Sequence, residues 1–165
     1  MARVSASPPT GIGDATRQAR SVLLANAARA RLLGRDPGSG ALREIDAYVH
    51  PGSRLKAGAL GHDRPGVGAR GSQRTPFEPP TDPAQRERQH FAHEVARHLE
   101  TLAAAGHLPP WALLASSPFL GQLLGALGPA ARAQLVMHDD HDLSALTLPV
   151  LEPRLRVLLP PLRPA

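Results

Sequence analysis

The first part of the chain carries two short groups of apolar residues that predict β-strands. Residues 22–25 are continuously apolar, and residues 28–33 alternate between apolar and polar positions. Short apolar runs and period-two alternation are typical of strands, because successive side chains of a strand point to opposite faces. Asn26 and the alanines that follow it lie between the two groups, so the pattern predicts a β-hairpin.

A third strand is predicted after residues 36–40, whose sequence DPGSG is a strong turn signal. Residues 41–51 alternate again, and the alternation divides their side chains between two faces. One face is expected to carry Leu42, Glu44, Asp46 and Tyr48, and the other Ile45, Ala47 and Val49.

The pattern changes to a helical one near residue 82. Thr81 or Asp82 is a suitable N-cap, Pro83 suits the first helical position, and Gly106 provides a stop. The apolar residues between them follow at i, i+4, i+8 and i+11, and they are Phe91, Val95, Leu99 and Leu102. This spacing places one apolar stripe on a long amphipathic helix.

The rest of the chain alternates between strand-like and helix-like segments. We expect a buried strand at residues 109–117, a short helix at 118–128 and a further strand at 133–144. Residues 145–159 have a helical pattern. Proline has no backbone N–H, so Pro153 is expected to interrupt this last helix unless it lies in the first turn.

This order of segments predicts one layered domain of the α/β (α+β) class over residues 20–159. About five strands of a mixed sheet would be packed by about three helices. Residues 1–19 are expected to form a disordered extension, and residues 160–165 a tail. Residues 52–80 are rich in Gly, Pro and Arg and have no periodicity, so a long flexible basic loop is expected there.

The composition excludes several classes of protein. The chain has no cysteine, which excludes disulfides and thiolate metal sites. The N-terminus has no apolar signal-peptide core, and no apolar run approaches the roughly 18 residues needed to span a bilayer. We therefore expect a cytoplasmic protein without a membrane span.

The excess of positive charge lies mostly in the predicted loop. The whole chain has a net charge of +5, and residues 54–74 alone contribute +4. The basic residues of this segment are Arg54, Lys56, Arg64, Arg70 and Arg74, against the single acidic residue Asp63. A basic cluster indicates an anionic partner, with nucleic acid first among the choices, although a solvated loop would have the same composition.

Two groups of histidines and carboxylates are candidates for metal sites. His93 and His98 resemble a zinc-protease motif, but they are five residues apart and lie roughly 140° from one another around a helix. His90, Glu94 and His98 are better interpreted as i,i+4 surface pairs.

The second group is MHDDHD at residues 137–142, where strand alternation would place His138, Asp140 and Asp142 on one side. Such residues are weak candidates for a divalent metal site, and a polar strand end is the favoured interpretation. No phosphate-binding loop, nucleophile elbow or dinucleotide fingerprint is present, so no cofactor is expected.

Several segments, in this order, resemble a bacterial family of host attachment proteins, described as required for attachment to host cells. The segments are VLLANAARARLL (22–33), HDRPG (62–66), EPPTDPAQRERQHFAHEVARHLE (78–100), WALLASSPFLGQL (111–123) and HDLSAL (141–146).

That family is in turn similar in fold to the middle domain of archaeal and eukaryotic class-1 translation release factors. The resemblance implies a mixed sheet from which one long loop reaches towards peptidyl-tRNA, with a Gly-Gly-Gln motif on that loop. Here the corresponding residues are Gly71, Ser72 and Gln73, preceded by Arg70. The resemblance makes Gln73 the candidate catalytic residue, with Gly71 permitting the turn. Ser72 departs from the pattern, because a position that requires glycine disfavours a side chain.

Three functions follow from these observations. The first is a non-catalytic domain that associates with RNA or the ribosome through its basic loop, and no feature indicates specificity for DNA. The second is an interaction protein required, directly or indirectly, for attachment to host cells. The third is peptidyl-tRNA hydrolysis through Gln73. We expect the first, and the sequence does not determine an oligomeric state.

Overall fold

The structure is a computed structural model that describes residues 19–50 and 82–159. Residues 1–18, 51–81 and 160–165 lie outside the described part of the chain. The predicted N-terminal extension, basic loop and C-terminal tail therefore stay predictions.

Five strands form one mixed sheet, as the sequence predicts. The strands are β1 (Ser21–Ala25), β2 (Arg29–Arg35), β3 (Leu42–Val49), β4 (Trp111–Ala115) and β5 (Leu135–Asp140). Their order across the sheet is β3-β2-β1-β4-β5. The first three strands are antiparallel neighbours, whereas β4 and β5 continue the sheet parallel to β1.

Four helices pack on this sheet within the described residues. They are α1 (Pro83–Ala104), α2 (Ser117–Ala126), α3 (Pro129–Gln134) and α4 (Leu148–Leu158). Helices α1 to α3 cover one face and share a core with it, while α4 packs on the opposite face. The fold is therefore of the α+β class, with one more helix than the three expected.

The β1–β2 hairpin is closed by the side chain of Asn26. Its Oδ1 accepts hydrogen bonds from the backbone N–H of Ala28 and Arg29, at 2.9 and 3.0 Å. Asparagine stabilises turns in this way, because its side chain imitates a backbone acceptor. All five residues of β1 are buried, since this strand lies in the middle of the sheet with helices over both faces.

A β-bulge in β3 separates residues that strict alternation predicts on one face of the strand. The pairing with β2 shifts between Leu32 and Leu33, so that Asp46 lies opposite Leu32 and Glu44 opposite Leu33. Leu32 belongs to the core under α1, and Leu33 to the core under α4. The prediction of a single face for residues 42–48 is therefore wrong, because the bulge reverses the alternation in the middle of the strand.

The capping residues and the apolar stripe predicted for helix α1 are found in the structure. The Asp82 side chain accepts a hydrogen bond from the N–H of Ala84 at 3.1 Å, and Pro83 occupies the first turn. Phe91, Val95 and Leu99 are buried, and Leu102 packs against the same core. Helix α1 ends at Ala104, and Gly106 has a φ of 76°.

The last third of the chain contains two departures from the predicted pattern. Residues 129–134 form α3, so β5 begins at Leu135 instead of residue 133. Six residues are too few to show a helical period, although Pro129 at the first turn and the alanines after it favour a helix. Pro153 lies inside α4 without interrupting it, because Leu151 and Leu155 hold both sides of the proline against the sheet.

Candidate functional site at the carboxyl edge of the sheet

Four of the five strands have their carboxyl ends at the same edge of the sheet. Strand β3 is antiparallel to β2 and therefore runs in the direction of β1, β4 and β5. The connections after β1 and β4 leave in opposite directions, one to β2 and the other towards β5. Open sheets with parallel strands bind ligands at such an edge, so the residues found there are candidates for a ligand site.

His50, the last described residue before residues 51–81, lies at this edge of the sheet. His50 follows β3, and its backbone N–H donates to the carbonyl of Ala28 at 2.9 Å. The ring of His50 lies 5.3 Å from the ring of Phe91, and Phe91 lies 5.6 Å from Phe119 in α2. Helix α1 therefore runs from this edge towards the opposite one, and both described flanks of residues 51–81 belong to the packed domain.

The sequence-predicted loop residues all fall within residues 51–81. Gly71 and Gln73, and the five basic residues Arg54, Lys56, Arg64, Arg70 and Arg74, lie outside the described residues. Their predicted roles stay predictions. What the structure adds is the set of side chains next to the two flanks of this segment.

Three polar side chains meet between β3 and α1. The Tyr48 hydroxyl donates to Oδ2 of Asp46 at 2.8 Å, and Nε2 of His98 lies 3.2 Å from the same oxygen. The rings of Tyr48 and His98 are 5.1 Å apart in an edge-to-face arrangement. One carboxylate thus fixes the orientation of both rings.

Burial raises the pKa of Tyr48 above its ordinary value of 10.0, and the hydrogen bond to Asp46 and the charge of Asp46 raise it further. Each of these effects disfavours the phenolate, because the anion would lose hydration and repel the carboxylate. Tyr48 therefore stays a neutral hydrogen-bond donor throughout the physiological pH range.

Next to these residues is an open cleft of about 400 Å³, which we call the β3–α1 cleft. Its lining residues are Tyr48, Val49, Phe91, Glu94, Val95, Arg97, His98 and Thr101. The cleft combines aromatic rings with a carboxylate, a guanidinium and a hydroxyl. Its volume lies within the range of small-ligand sites, which is about 300–1,000 Å³.

A second cleft of about 340 Å³ lies on the other side of the exposed face of α1. It is lined by His90, His93, Glu94, Ala96, Arg97, Glu100, Ala126 and Gly128. Glu100 already has partners, because its two oxygens accept from the backbone N–H of Ala130 and Ala131 at 3.0 and 2.8 Å. The carboxylate is therefore committed to the start of α3.

A polar network ties the β1–β2 turn to the chain after β5. The Asn26 amide donates to Oδ2 of Asp142 and to the hydroxyl of Ser144, both at 2.9 Å. The buried Ser144 hydroxyl donates to Oδ1 of Asp142 at 2.7 Å, and Arg31 donates to the carbonyls of Ser144 and Leu146. These groups satisfy one another, so the network anchors residues 142–146.

Burial alone would raise the pKa of Asp142. Hydrogen bonds from Asn26 and Ser144, together with the charge of Arg29, outweigh burial and hold this pKa below its usual value. The Asp142 carboxylate is thus an ionised part of the network.

The three weak metal candidates are not brought together with further ligands. His138 and Asp140 are exposed on β5, and they pair in register with Leu113 and Ala115. Asp142 is bound by Asn26 and Ser144. Within residues 19–50 and 82–159, no group of three or more His, Asp or Glu side chains has an arrangement suited to a metal ion.

One of the two predicted helix-surface pairs is confirmed. His90 Nδ1 lies 3.8 Å from Glu94 Oε1, whereas His98 pairs with Asp46 of β3 instead of Glu94. One sign of the second contact is visible in the sequence, since Asp46 and Tyr48 are two residues apart on a predicted strand. It did not indicate that the third partner comes from a helix about fifty residues further along.

The described residues define an α+β domain whose mixed sheet carries α1–α3 on one face and α4 on the other. The chain belongs to the family described as "Protein required for attachment to host cells", whose model matches residues 21–155. Among curated proteins, none matches this chain. No helix in residues 19–50 and 82–159 has both the length and the apolar character needed to cross a bilayer.

Proposed function

We propose that this member of the host attachment family is a non-catalytic domain that associates with RNA, in particular ribosomal RNA, through residues 54–74. The observation that carries the proposal is the concentration of +4 of the net charge of +5 in this segment. Lysine and arginine bind nucleic acid largely by neutralising phosphates and releasing counterions, so a local cluster of them favours RNA over an uncharged partner.

The flanks of the segment support this proposal. His50 packs against Phe91, which packs against Phe119, and Asp82 caps the first turn of α1. A charged segment whose two neighbours are fixed to a folded domain couples any RNA it binds to that domain. The resemblance to the middle domain of release factors is consistent with a ribosomal partner. Both the resemblance and the ribosomal partner are part of this proposal.

The sequence at the candidate catalytic position favours binding without hydrolysis. Ser72 stands where the release-factor motif has its second glycine, directly before Gln73. A glycine at such a position allows positive φ and close approach to RNA, both of which a side chain disfavours.

Ribosome co-sedimentation of the full chain tests the proposal. Binding is expected to weaken steeply with salt, and replacing all five basic residues of the segment by alanine should abolish it at moderate salt. A matched comparison uses two double variants, each of which removes two positive charges. One carries Arg70→Ala and Arg74→Ala, and the other carries Arg154→Ala and Arg156→Ala. Arg154 and Arg156 are exposed on α4, so the second pair removes equal charge elsewhere.

Phosphate contacts by the first pair would reduce the slope of log affinity against log salt by about 1 to 2, at about 0.7 per contact with single strands. The α4 pair should leave the slope unchanged. Equal sedimentation of the wild type and the five-residue variant would refute the RNA proposal.

We further propose that the protein acts inside the cell, so that the attachment named in the family description is an indirect effect. Surface protease treatment of intact cells, followed by detection of the native protein, tests this location. Protection until the cells are lysed is expected, and loss from intact cells would contradict it.

A further inference from the structure

The β3–α1 cleft has the volume of a small-ligand pocket. Its volume of about 400 Å³ lies near the lower end of the range for small-ligand pockets, which is about 300–1,000 Å³. It is open to solvent on the outer side of the sheet edge, between an edge strand and an exposed helix face. A flat group of limited size can enter such a space without opening the core.

The aromatic side chains of the cleft are held in place before any ligand arrives. Oδ2 of Asp46 accepts a hydrogen bond from the Tyr48 hydroxyl and also pairs with the His98 imidazole. The two rings contact each other edge to face. Phe91 also lines the cleft but is only 2% exposed, so the rings accessible to a ligand are those of Tyr48 and His98. Aromatic rings with fixed orientation favour stacking, because little side-chain entropy remains to be lost on binding.

The polar groups around the rings offer both kinds of hydrogen bond. Arg97 carries only donors, and the Glu94 carboxylate only acceptors. The Thr101 hydroxyl donates to the carbonyl of Arg97 at 2.9 Å, which leaves its lone pairs as acceptors. The edge of a nucleobase carries donors and acceptors side by side, and the sugar-phosphate of the same nucleotide would meet Arg97.

The cleft lies at the end of β3, after which the sequence continues into residues 51–81 and their basic residues. Val49 lines the cleft, and His50 is the last described residue before residues 51–81. We propose that the β3–α1 cleft holds one unstacked base of the single-stranded RNA to which the domain binds. This inference rests on the proposed RNA association and assigns a base-binding role to Tyr48, His98 and Arg97.

Fluorescence anisotropy of the full chain with a short labelled oligouridine tests this site. Tyr48→Ala is expected to weaken binding by at least about fivefold, since removing one stacking ring costs at least that much. Tyr48→Phe keeps the ring and loses only the hydroxyl, so its affinity should stay within about twofold of the wild type. The pair Arg154→Ala with Arg156→Ala is the control on a distant surface.

A second variant does not disturb the sheet. Thr101 is exposed on α1, and Thr101→Trp would fill the cleft with a bulky ring while leaving the core intact. It is expected to weaken oligouridine binding as Tyr48→Ala does. A duplex RNA with the same number of phosphates should bind both variants like the wild type, because its bases stay paired.

The outcomes separate this inference from the proposed function. Wild-type affinity in both Tyr48→Ala and Thr101→Trp, with weakened binding in Arg70→Ala with Arg74→Ala, would overturn the base site and leave RNA association standing. Equal weakening for duplex and single-stranded RNA would also overturn it. If the wild type binds neither RNA, both proposals fail.

Discussion

At the scale of single residues, one carboxylate determines how α1 and α3 meet. Glu100 of α1 accepts from two N–H groups at the start of α3, and its side chain passes over Gly128. A Cβ at Gly128 would lie only 2.5 Å from Oε2 of Glu100. The first turn of a helix has N–H groups without helical partners, so this contact supplies acceptors that α3 cannot provide for itself.

We expect Gly128→Ala to lower the free energy of unfolding by about 1–3 kcal/mol, because the added methyl displaces Glu100 from Ala130 and Ala131. Urea denaturation measures the change. Gly121→Ala is the control, since a Cβ at Gly121 meets nothing within 4 Å and helix-interior alanine is favoured over glycine by about 0.5–1 kcal/mol. A Gly128→Ala variant as stable as the Gly121→Ala variant would contradict the clash.

The chain contains a single tyrosine, so its ionisation can be followed directly by absorbance. Tyr48 is expected to ionise at higher pH than a free tyrosine, because of burial and its contact with Asp46. Asp46→Asn keeps an acceptor for the hydroxyl but removes the charge, and it should lower the pKa of Tyr48. Asp139→Asn, on β5, should leave the titration unchanged. An unaltered titration in Asp46→Asn would remove the role assigned to this carboxylate.

At the scale of elements, α4 is the only described helix that covers its face of the sheet. It is held by Leu151 and Leu155, which are buried against that face, and by the ion pair of Arg35 with Glu152 at 2.7 Å. The opposite face has three helices over it. The side of the sheet with α4 therefore depends on fewer apolar contacts.

Leu151→Ala is predicted to destabilise the protein by about 2–5 kcal/mol, because it leaves a cavity under this single helix. Val157→Ala is the control on the same helix. Its side chain is 84% exposed, and the change should stay within about 0.5 kcal/mol. Thermal or urea unfolding distinguishes the two, and similar losses would mean that α4 does not pack as described.

Most elements could be predicted because their signals are local. The hairpin follows from Asn26 between two apolar groups, and α1 follows from Asp82, Pro83 and a stripe of apolar residues. Helix α3 was not predicted, since six residues show no helical period and its first turn is completed by Glu100, about thirty residues earlier. The register of β3 depends on its pairing with β2, which no local pattern contains.

The candidate site was predictable only in part, for the same reason. The charge of residues 54–74 is a property of composition and could be counted. The contact of Asp46 and Tyr48 with His98 requires the bulge, because it turns both strand residues towards α1. Strict alternation would have grouped them with Glu44, whose partner is Arg31 on the other face.

At the scale of the whole molecule, stability is expected to fall at both ends of the pH range. The pKa of Asp142 is lowered by its hydrogen bonds despite burial, that of Asp36 mainly by the backbone N–H of Ser39, and that of Glu152 mainly by Arg35. Carboxyl groups with lowered pKa stabilise the fold above the unfolded pKa of about 4. That contribution is lost as pH falls through the folded values.

Tyr48 acts in the opposite direction. Its raised pKa contributes stability that is complete below the unfolded pKa of about 10 and is lost as pH rises through the folded value. Urea midpoints measured across pH should therefore be highest between these limits. Asn26→Ala removes a hydrogen bond that holds down the pKa of Asp142, so the variant should lose less further stability on acidification than the wild type. An identical acid dependence would contradict this link.

The bulge in β3 also bears on the behaviour of the protein at high concentration. An edge strand exposes unpaired backbone groups that can add a strand from a neighbouring molecule and begin aggregation. Among the described strands β3 lies at one border of the sheet, it contains the charged residues Arg43, Glu44 and Asp46, and its bulge breaks the even spacing that a second strand needs. The other edge ends in His138, Asp139 and Asp140. As far as residues 19–50 and 82–159 define them, both borders of the sheet are thus poor templates for intermolecular growth.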